Sequence, residues 1–487
     1  MVINASKIAK GIFFLTMVFV FRKAMTFIYF TFIARSTNVE TTGHYYLLMT
    51  LLSLGVLVFD LGLTPMMVAY SGKNQESFNS IFNTVISLKT IINFILVPGI
   101  FLYWLWLKPT TFHFGILFLF LGMMILHSYS YTFYSAIRFK KNMVAETRGI
   151  TWGHLIMIIL GLIFLKTMGT LFFIVLATFS DKLFNFIYST YHLMREKIVL
   201  RIKVTGISWK EIFIRSFPYF ISTNMNRFFF WDSLVLFYFG NALILGLYSV
   251  PSTIIKTCEF IPLAVSTVLF PIYSNYFQSP DKVEVIFEKS VESLLLICLP
   301  LIVGINVLAH NFIPVIFGSR FLVSVSLLQI MSFSLLPFFL NATLGVFLMA
   351  SIYNKPYTIL TITAAFLHIF LGYILVSLYG GKGMAWTGVI SQTFLYIGGI
   401  YFVSKIVGIK HIIISIKKGG RIFFASIIMG SILFFLRDRF YFLPNIIVGI
   451  AIYLFLIFIL YGLTRNGFDK NAAQTVWSDL VKYLFVK

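Results

Sequence analysis

Long apolar stretches separated by short polar segments dominate the 487-residue chain. Because a helix rises about 1.5 Å per residue, roughly 20 consecutive apolar residues cross the hydrocarbon core of a bilayer. We therefore predict fourteen transmembrane helices, at approximately residues 8–34, 43–70, 79–106, 112–137, 147–166, 170–192, 212–239, 242–277, 287–309, 322–350, 356–379, 384–406, 419–436 and 444–463. The eighth stretch is too long for one straight crossing, and Pro262 and Pro271 within it predict kinks.

The composition agrees with an all-α integral membrane protein. Hydrophobic residues make up 59% of the chain and charged residues only 11%, and the mean hydropathy is +0.93. Soluble proteins carry about 25% charged residues. The longest predicted inside loop, residues 193–211, is basic and too short to be a soluble catalytic domain. An enzyme, which would need such a domain or an exposed acid–base pair, is therefore not expected.

The net charge of +22 does not indicate nucleic-acid binding, because the basic residues form no patch or arm. They recur in small groups between apolar stretches, as in the cytoplasmic loops of membrane proteins. With the N-terminus inside, most of these groups fall on the cytoplasmic side. This asymmetry predicts an even number of helices in the cytoplasmic (inner) membrane, with both termini in the cytoplasm.

A short internal repeat divides the chain into two similar halves. Arg22 followed by Gly43-His44-Tyr45-Tyr46 in the first half matches Arg227 followed by Gly246-Leu247-Tyr248-Ser249 in the second. Parallel repeats of this kind are common in transporters, which bind substrate between the two halves. We predict a first lobe at residues 1–192, a cytoplasmic linker at 193–211, a second lobe at 212–406, and helices 13 and 14 with a cytoplasmic tail at 407–487.

Several sequence motifs, taken in order, resemble a known family. They are Thr42 to Tyr46, Phe59 to Leu63, Phe228 to Leu236, Gly246 to Val250, Val268 to Pro271, Ile316 to Gly318 and Tyr379 to Ala385. In order and spacing they are similar to the Wzx-type lipid-linked oligosaccharide flippases of the multidrug/oligosaccharidyl-lipid/polysaccharide superfamily. The resemblance implies a MATE-like fold, with two six-helix lobes around a central cavity that opens alternately to each side. The two C-terminal helices depart from that twelve-helix core.

The resemblance also implies a substrate and partners. The substrate would be a polyprenyl pyrophosphate carrying an oligosaccharide repeat unit for a surface polysaccharide such as O-antigen or capsule. Membrane lipid, polysaccharide polymerase and chain-length proteins are the partners to consider, and a monomer is the default for the fold. Two related functions stay open: a MATE-type cation-coupled multidrug exporter and a lipid II flippase of the same superfamily.

Basic residues inside the apolar stretches are the candidates for binding the pyrophosphate. A charge near the centre of a membrane helix costs roughly 2.5–3.5 kcal/mol on insertion scales, so each one needs a reason. A pyrophosphate diester is anionic, and guanidinium groups bind phosphate oxygens in pairs. The predicted substrate-binding residues are Arg22, Arg227, Lys182, Lys89 and Lys256.

Structural alternatives exist for several of these cations. Arg22 could instead form a salt bridge with Asp60 or Asp181, and Lys89 could extend to the membrane surface. Lys256 could simply neutralise Glu259, three residues away. Asp181 and Lys182 are neighbours, so we expect Lys182 to face the cavity while Asp181 pairs elsewhere. Basic residues outnumber acidic ones within the helices, which argues against an exporter of organic cations.

Acidic residues in the helices are the candidates for ion coupling. Asp60, Asp232 and Glu259 are predicted to bind H⁺ or Na⁺ if transport is coupled, and the sequence does not choose the ion. No other cofactor and no metal is expected. His127, His154 and His368 lie in apolar stretches without metal-ligand spacing, and we interpret them as hydrogen-bonded core residues.

Overall fold

The computed structural model describes residues 5–70, 75–107, 114–140, 142–198, 200, 209–224, 231–277, 280–437, 439 and 442–463. Every regular element within these residues is helical. The helices are α1 (Ala5–Ser36), α2 (Val39–Asp60), α3 (Leu63–Tyr70), α4 (Gln75–Leu107), α5 (Phe114–Phe139), α6 (Met143–Thr167), α7 (Leu171–Arg195), α8 (Trp209–Asn224), α9 (Asp232–Phe239), α10 (Ala242–Cys258), α11 (Phe260–Tyr276), α12 (Pro280–Phe317), α13 (Ser324–Ser332), α14 (Leu335–Met349), α15 (Asn354–Val407), α16 (Ile409–Leu436) and α17 (Phe442–Leu463).

The predicted all-α membrane architecture is confirmed. Where their residues are described, the predicted stretches fall on helices, and the count of fourteen stays a prediction. In the described part of the chain, 11 helices are long and apolar enough to cross a membrane. One of them, α15, contains two of the predicted stretches. Between these two stretches, Gly380 (φ 57°, ψ −135°) interrupts the helical backbone.

Proline explains two of the helix breaks. α10 ends at Cys258, four residues before Pro262, and α13 and α14 are separated at Phe333, four residues before Pro337. A proline has no N–H for the carbonyl four residues earlier, and its ring clashes with that carbonyl. The kink predicted at Pro262 thus takes the form of a helix break. No break accompanies Pro271, since α11 continues to Tyr276.

The break between α2 and α3 has a different cause. Leu61 (φ 46°) and Gly62 (φ 75°) both adopt left-handed backbone conformations. The backbone N–H of Thr64 donates to the Asp60 carboxylate at 3.4 Å, which caps the start of α3. A Cβ atom on Gly62 would lie 2.5 Å from the carbonyl oxygen of Ser216 in α8. Glycine at position 62 therefore permits both the turn and the close approach of α8.

The chain forms two compact units, Phe13–Ser233 and Leu234–Lys487 with Met1–Ile12. In the first unit, α7 packs against α5 and α6, and α8 packs against α3. In the second unit, α12 packs against α16 and α14 against α15, and α17 packs against α16. The four-part division made from the sequence stays a prediction.

Candidate functional site

A buried ion pair lies at the break between α2 and α3. Lys89 of α4 is 0% exposed, and its Nζ lies 2.6 Å from Oδ1 of Asp60. The same Nζ donates to Thr132 Oγ1 at 2.6 Å and to the Ser128 carbonyl oxygen at 3.1 Å. The Thr64 hydroxyl donates to Asp60 and lies 2.9 Å from Thr132 Oγ1. The network therefore joins α2, α3, α4 and α5 through one pair of charges.

The contacts in this network show where the side chains of two predicted site residues, Lys89 and Asp60, lie. Lys89 does not extend to the membrane surface, because its ammonium group has a carboxylate and three hydrogen-bond acceptors on Ser128 and Thr132 within the bundle. Asp60 pairs with Lys89, a partner that the sequence did not suggest. A direct role of Lys89 with substrate, or of Asp60 with an ion, would require this pair to open. Both roles stay predictions.

A second charged cluster lies between α6 and α7. Asp181, whose side chain is 1% exposed, lies 2.7 Å from Lys182 Nζ through Oδ2 and 3.4 Å from His154 Nδ1 through Oδ1. Asn185 Nδ2 donates to Asp181 Oδ1 at 2.8 Å, and Asn185 Oδ1 accepts from the Tyr134 hydroxyl at 2.8 Å. The carboxylate is thus held by donors from two helices and through Asn185 is linked to a third, α5.

The expectation that Asp181 pairs away from Lys182 was wrong. Although consecutive residues point about 100° apart on a helix, the four-carbon side chain of lysine is long enough to turn back to its neighbour. Space for the cluster comes from Gly153 on α6, where a Cβ atom would lie 2.2 Å from Asn185 Nδ2 and 2.5 Å from Asp181 Oδ1. Any larger residue at position 153 would push the cluster out of place.

Arg22 lies near a third acidic residue of the same unit. Arg138 Nε at the end of α5 forms an ion pair with Glu146 Oε2 of α6 at 2.9 Å. The Arg22 guanidinium also acts electrostatically on the Glu146 carboxylate. The Arg138–Glu146 ion pair therefore lies within electrostatic range of the Arg22 guanidinium. The salt bridges of Arg22 considered from the sequence did not include Glu146.

The other predicted site residues are spread over the chain. Arg227 lies outside the described residues. Asp232 is buried at the start of α9, next to Ser233, whose hydroxyl accepts from Thr50. Lys256 and Glu259 are partly exposed and lie close to the break between α10 and α11. Their roles stay predictions.

The second unit contains a charged cluster that the sequence did not reveal. Glu284 and Glu288 of α12 lie 2.9 Å and 2.6 Å from the two ring nitrogens of His411 on α16. Lys418 Nζ lies 3.1 Å from Glu288 and 3.5 Å from Glu292. The carboxylates recur every four residues on one face of α12, so the cluster joins the ends of α12 and α16. This spacing was visible in the sequence, but the partners lie more than one hundred residues away.

An apolar cavity of about 400 Å³ lies within the second unit. Its lining comes mainly from α12, α16 and α17, with α10 and α13 contributing Ile254 and Leu328. Gly304 on α12 belongs to this lining, and a Cβ atom there would meet nothing within 4 Å. The side chains that line it are apolar apart from the hydroxyl of Tyr453.

Comparison with solved structures identifies the fold. The chain is similar to the lipid II flippase MurJ in an inward closed conformation, with a TM-score of 0.76 and 17% identity, over 92% of this chain and 99% of the other. It is also similar to an inward-facing multidrug resistance MATE family transporter, with a TM-score of 0.65 and 14% identity, over 80% of this chain and 95% of the other. A transporter of the same superfamily from Pyrococcus furiosus gives a TM-score of 0.55 at 13% identity, over 82% and 96% of the two chains. At these identities the matches show the MurJ/MATE-like fold.

Sequence comparison identifies the family. Comparison with curated proteins finds no significant match. A family model described as polysaccharide biosynthesis protein matches residues 32–326, more than half of the chain. The solved structures with this fold are described as a lipid II flippase and as multidrug resistance transporters. The chain therefore belongs to the polysaccharide biosynthesis protein family, and its resemblance to the Wzx-type members of the multidrug/oligosaccharidyl-lipid/polysaccharide superfamily is confirmed.

Proposed function

We propose that the protein moves polyprenyl-pyrophosphate-linked oligosaccharide repeat units across the cytoplasmic membrane by alternating access. The translocated repeat units would be used to assemble a surface polysaccharide, either O-antigen or capsule. Membership in a polysaccharide biosynthesis family with a multi-pass flippase fold supports this proposal. The observation that carries its chemistry is that the Arg138 and Arg22 guanidinium groups both act on the Glu146 carboxylate.

Guanidinium groups inside the helical bundle suit an anionic headgroup. A pyrophosphate diester that leaves water needs fixed positive groups to replace its hydration. Arg138 forms an ion pair with Glu146, and the Arg22 guanidinium acts electrostatically on the same carboxylate. Guanidinium groups are always protonated and match phosphate oxygens in geometry, so Arg22 is suited to hold the headgroup at any physiological pH.

The pairing of acidic residues weighs against an exporter of organic cations. Such a transporter would be expected to offer unpaired carboxylates to its substrate. In the first unit, Asp60, Glu146 and Asp181 are each within 3 Å of a basic side chain. These three carboxylates are therefore already neutralised and have little charge left for a cationic drug.

The apolar cavity supports the lipid part of the proposed substrate. A polyprenyl chain is a long hydrocarbon, and an apolar lining receives it from the surrounding lipid without burying an unpaired polar group. The lining around Gly304, Leu433 and Ile446 offers such a surface within the second unit. A lipid II flippase would also need cationic groups for the pyrophosphate and an apolar surface for the polyprenyl chain. We favour the oligosaccharide lipid because the family model describes polysaccharide biosynthesis, whereas the likeness to MurJ at 17% identity shows the fold alone.

Replacing Arg22 with alanine tests the role of this side chain. Loss of one charge-assisted hydrogen bond costs about 1.5–3 kcal/mol, so we expect export of the repeat unit to fall about tenfold or more. The amount of surface polymer and the amount of repeat-unit lipid retained in the membrane are measured together by mass spectrometry. Membrane levels of the protein should remain normal.

The neighbouring residue provides a matched control. Lys23 is exposed and also basic, so Lys23→Ala removes the same charge one position along α1. We expect near-normal export from Lys23→Ala and partial recovery from Arg22→Lys. Full export from Arg22→Ala would remove Arg22 from the mechanism.

A further inference from the structure

The hydrogen bonds of His154 determine where its ring can accept a proton. Its Nδ1 lies 3.0 Å from the carbonyl oxygen of Ile150, which can only accept a hydrogen bond. Nδ1 therefore carries a hydrogen, and in the neutral ring Nε2 is the nitrogen that can take up a proton. Imidazole is the one side chain whose ordinary titration falls between pH 5 and 8. The same Nδ1 also lies 3.4 Å from Asp181 Oδ1.

The Asp181 side chain is fixed in place and cannot move with the Lys182 ammonium group if that group binds another anion. Asn185 holds Oδ1 at 2.8 Å, and the close approach of Gly153 fixes both side chains against α6. Lys182 is less restrained, with 17% of its side chain exposed against 1% for Asp181. A buried carboxylate without a counter-ion is strongly unfavourable. If Lys182 leaves, Asp181 therefore requires a second positive group, and His154 is close enough to supply it.

We propose that Asp181, His154 and Lys182 form a proton-dependent counter-ion switch, in which protonated His154 replaces Lys182 beside Asp181 and Lys182 binds the anionic lipid headgroup. This inference rests on the proposed function and adds a pH-sensitive step of headgroup binding to it. A proton from water binds at Nε2, so the charge of His154 changes from zero to +1. The three side chains then carry +1 in total, and the pyrophosphate supplies the compensating negative charge.

The donors around Asp181 favour a proton over a sodium ion. Hard cations such as metal ions bind several oxygen ligands at once. Asp181 Oδ2 faces the Lys182 ammonium group, and Oδ1 faces N–H groups of Asn185 and His154. These donors would repel a cation from the carboxylate. Among the described residues, the Asp181 carboxylate also acts electrostatically on the hydroxyls of Tyr45 on α2 and Tyr134 on α5.

The switch links proton binding to headgroup binding. Because such coupling is reciprocal, acid should strengthen binding of the headgroup, and binding of the headgroup should take protons from solution. The test uses the purified full chain in lipid nanodiscs and farnesyl-pyrophosphoryl-N-acetylglucosamine as the probe. This probe is a pyrophosphate diester with no group that titrates in the relevant range, so any change with pH belongs to the protein.

We expect the wild-type protein to bind the probe about tenfold more tightly at pH 6 than at pH 8 and to take up protons as it binds. His154→Gln should bind with the same affinity at both pH values and without proton uptake. His368→Gln serves as the matched control, since His368 is a buried membrane histidine next to the hydroxyl of Ser391. This control should retain the wild-type dependence on pH.

A second variant keeps the test decisive if His154→Gln folds poorly. Lys182→Met should bind the probe more weakly and show little dependence on pH. Wild-type binding that does not vary with pH, or an unchanged pH dependence in either variant, would overturn the switch and leave the proposed function intact. Failure of the wild-type protein to bind the probe at any pH would instead contradict the proposed pyrophosphate-linked substrate.

Discussion

Replacing Lys89 with methionine is expected to destabilise the protein by about 3–5 kcal/mol. The substitution leaves the buried Asp60 carboxylate without its cation, while the apolar stem of the side chain is largely preserved. The Thr64 hydroxyl and backbone N–H still donate to Asp60, but they do not neutralise it. The measurement is the midpoint temperature of thermal unfolding of the purified protein.

The double variant Asp60→Asn/Lys89→Met separates the charge pair from general damage. It removes both charges at once, so we expect it to recover much of the stability that the single variant loses. Lys166→Met is the matched control, because Lys166 is an exposed lysine near the end of α6. Its effect should stay within about 0.5 kcal/mol. Equal losses in the single and double variants would show that the Asp60–Lys89 pair contributes nothing specific.

The second large effect is expected at Gly62. Gly62→Ala places a Cβ atom 2.5 Å from backbone atoms of Ser216 and Phe220, at a position where φ is +75°. Left-handed strain and overpacking each cost about 1–3 kcal/mol, so the combined loss of stability should be about 2–5 kcal/mol. Thermal unfolding of the purified variant measures the loss.

A glycine with open space around it supplies the control for Gly62. A Cβ atom on Gly99 of α4 would meet nothing within 4 Å, and the residue is helical. Gly99→Ala should therefore leave stability unchanged or raise it by up to about 1 kcal/mol, because alanine favours a helix more than glycine. If both substitutions had the same small effect, the close approach of α8 at Gly62 would not constrain the fold.

The helices could be predicted because membrane insertion depends on local composition. Apolar length alone located every predicted stretch on a helix, and Pro262 located a break, because proline acts on the carbonyl four residues earlier. The turn at Leu61 and Gly62 was not predicted. It depends on contact with Ser216 and Phe220 of α8, which are distant in the sequence.

The charged residues could be found in the sequence, but their partners could not. Any charge in an apolar stretch is noticeable, so Lys89, Asp181 and Arg22 were singled out. Hydrogen-bond partners such as Thr132, which is 43 positions from Lys89, lie on another helix and share no local spacing with it. His154 looked like a core residue for the same reason, since Asp181 belongs to the next helix.

The same physics connects stability and transport in this protein. An unpaired charge in a membrane helix is unfavourable in free energy. A charge pair can either stabilise the packing of the helices or exchange one partner for another ion. Lys89 is fully buried with several acceptors and suits a bracing role, whereas Lys182 is partly exposed and has a neighbouring base. We therefore expect Lys89 variants to lose protein from the membrane and Lys182 variants to lose transport.

The most direct test of the proposed flippase uses cells that lack the gene. Polyprenyl-pyrophosphate lipids are extracted and quantified by mass spectrometry, and surface polysaccharide is assayed in the same cultures. We predict that one lipid-linked repeat unit accumulates while one surface polymer disappears, and that the wild-type gene restores both. Normal lipids and normal polymer, with greater sensitivity to cationic drugs, would contradict the account and indicate a multidrug exporter.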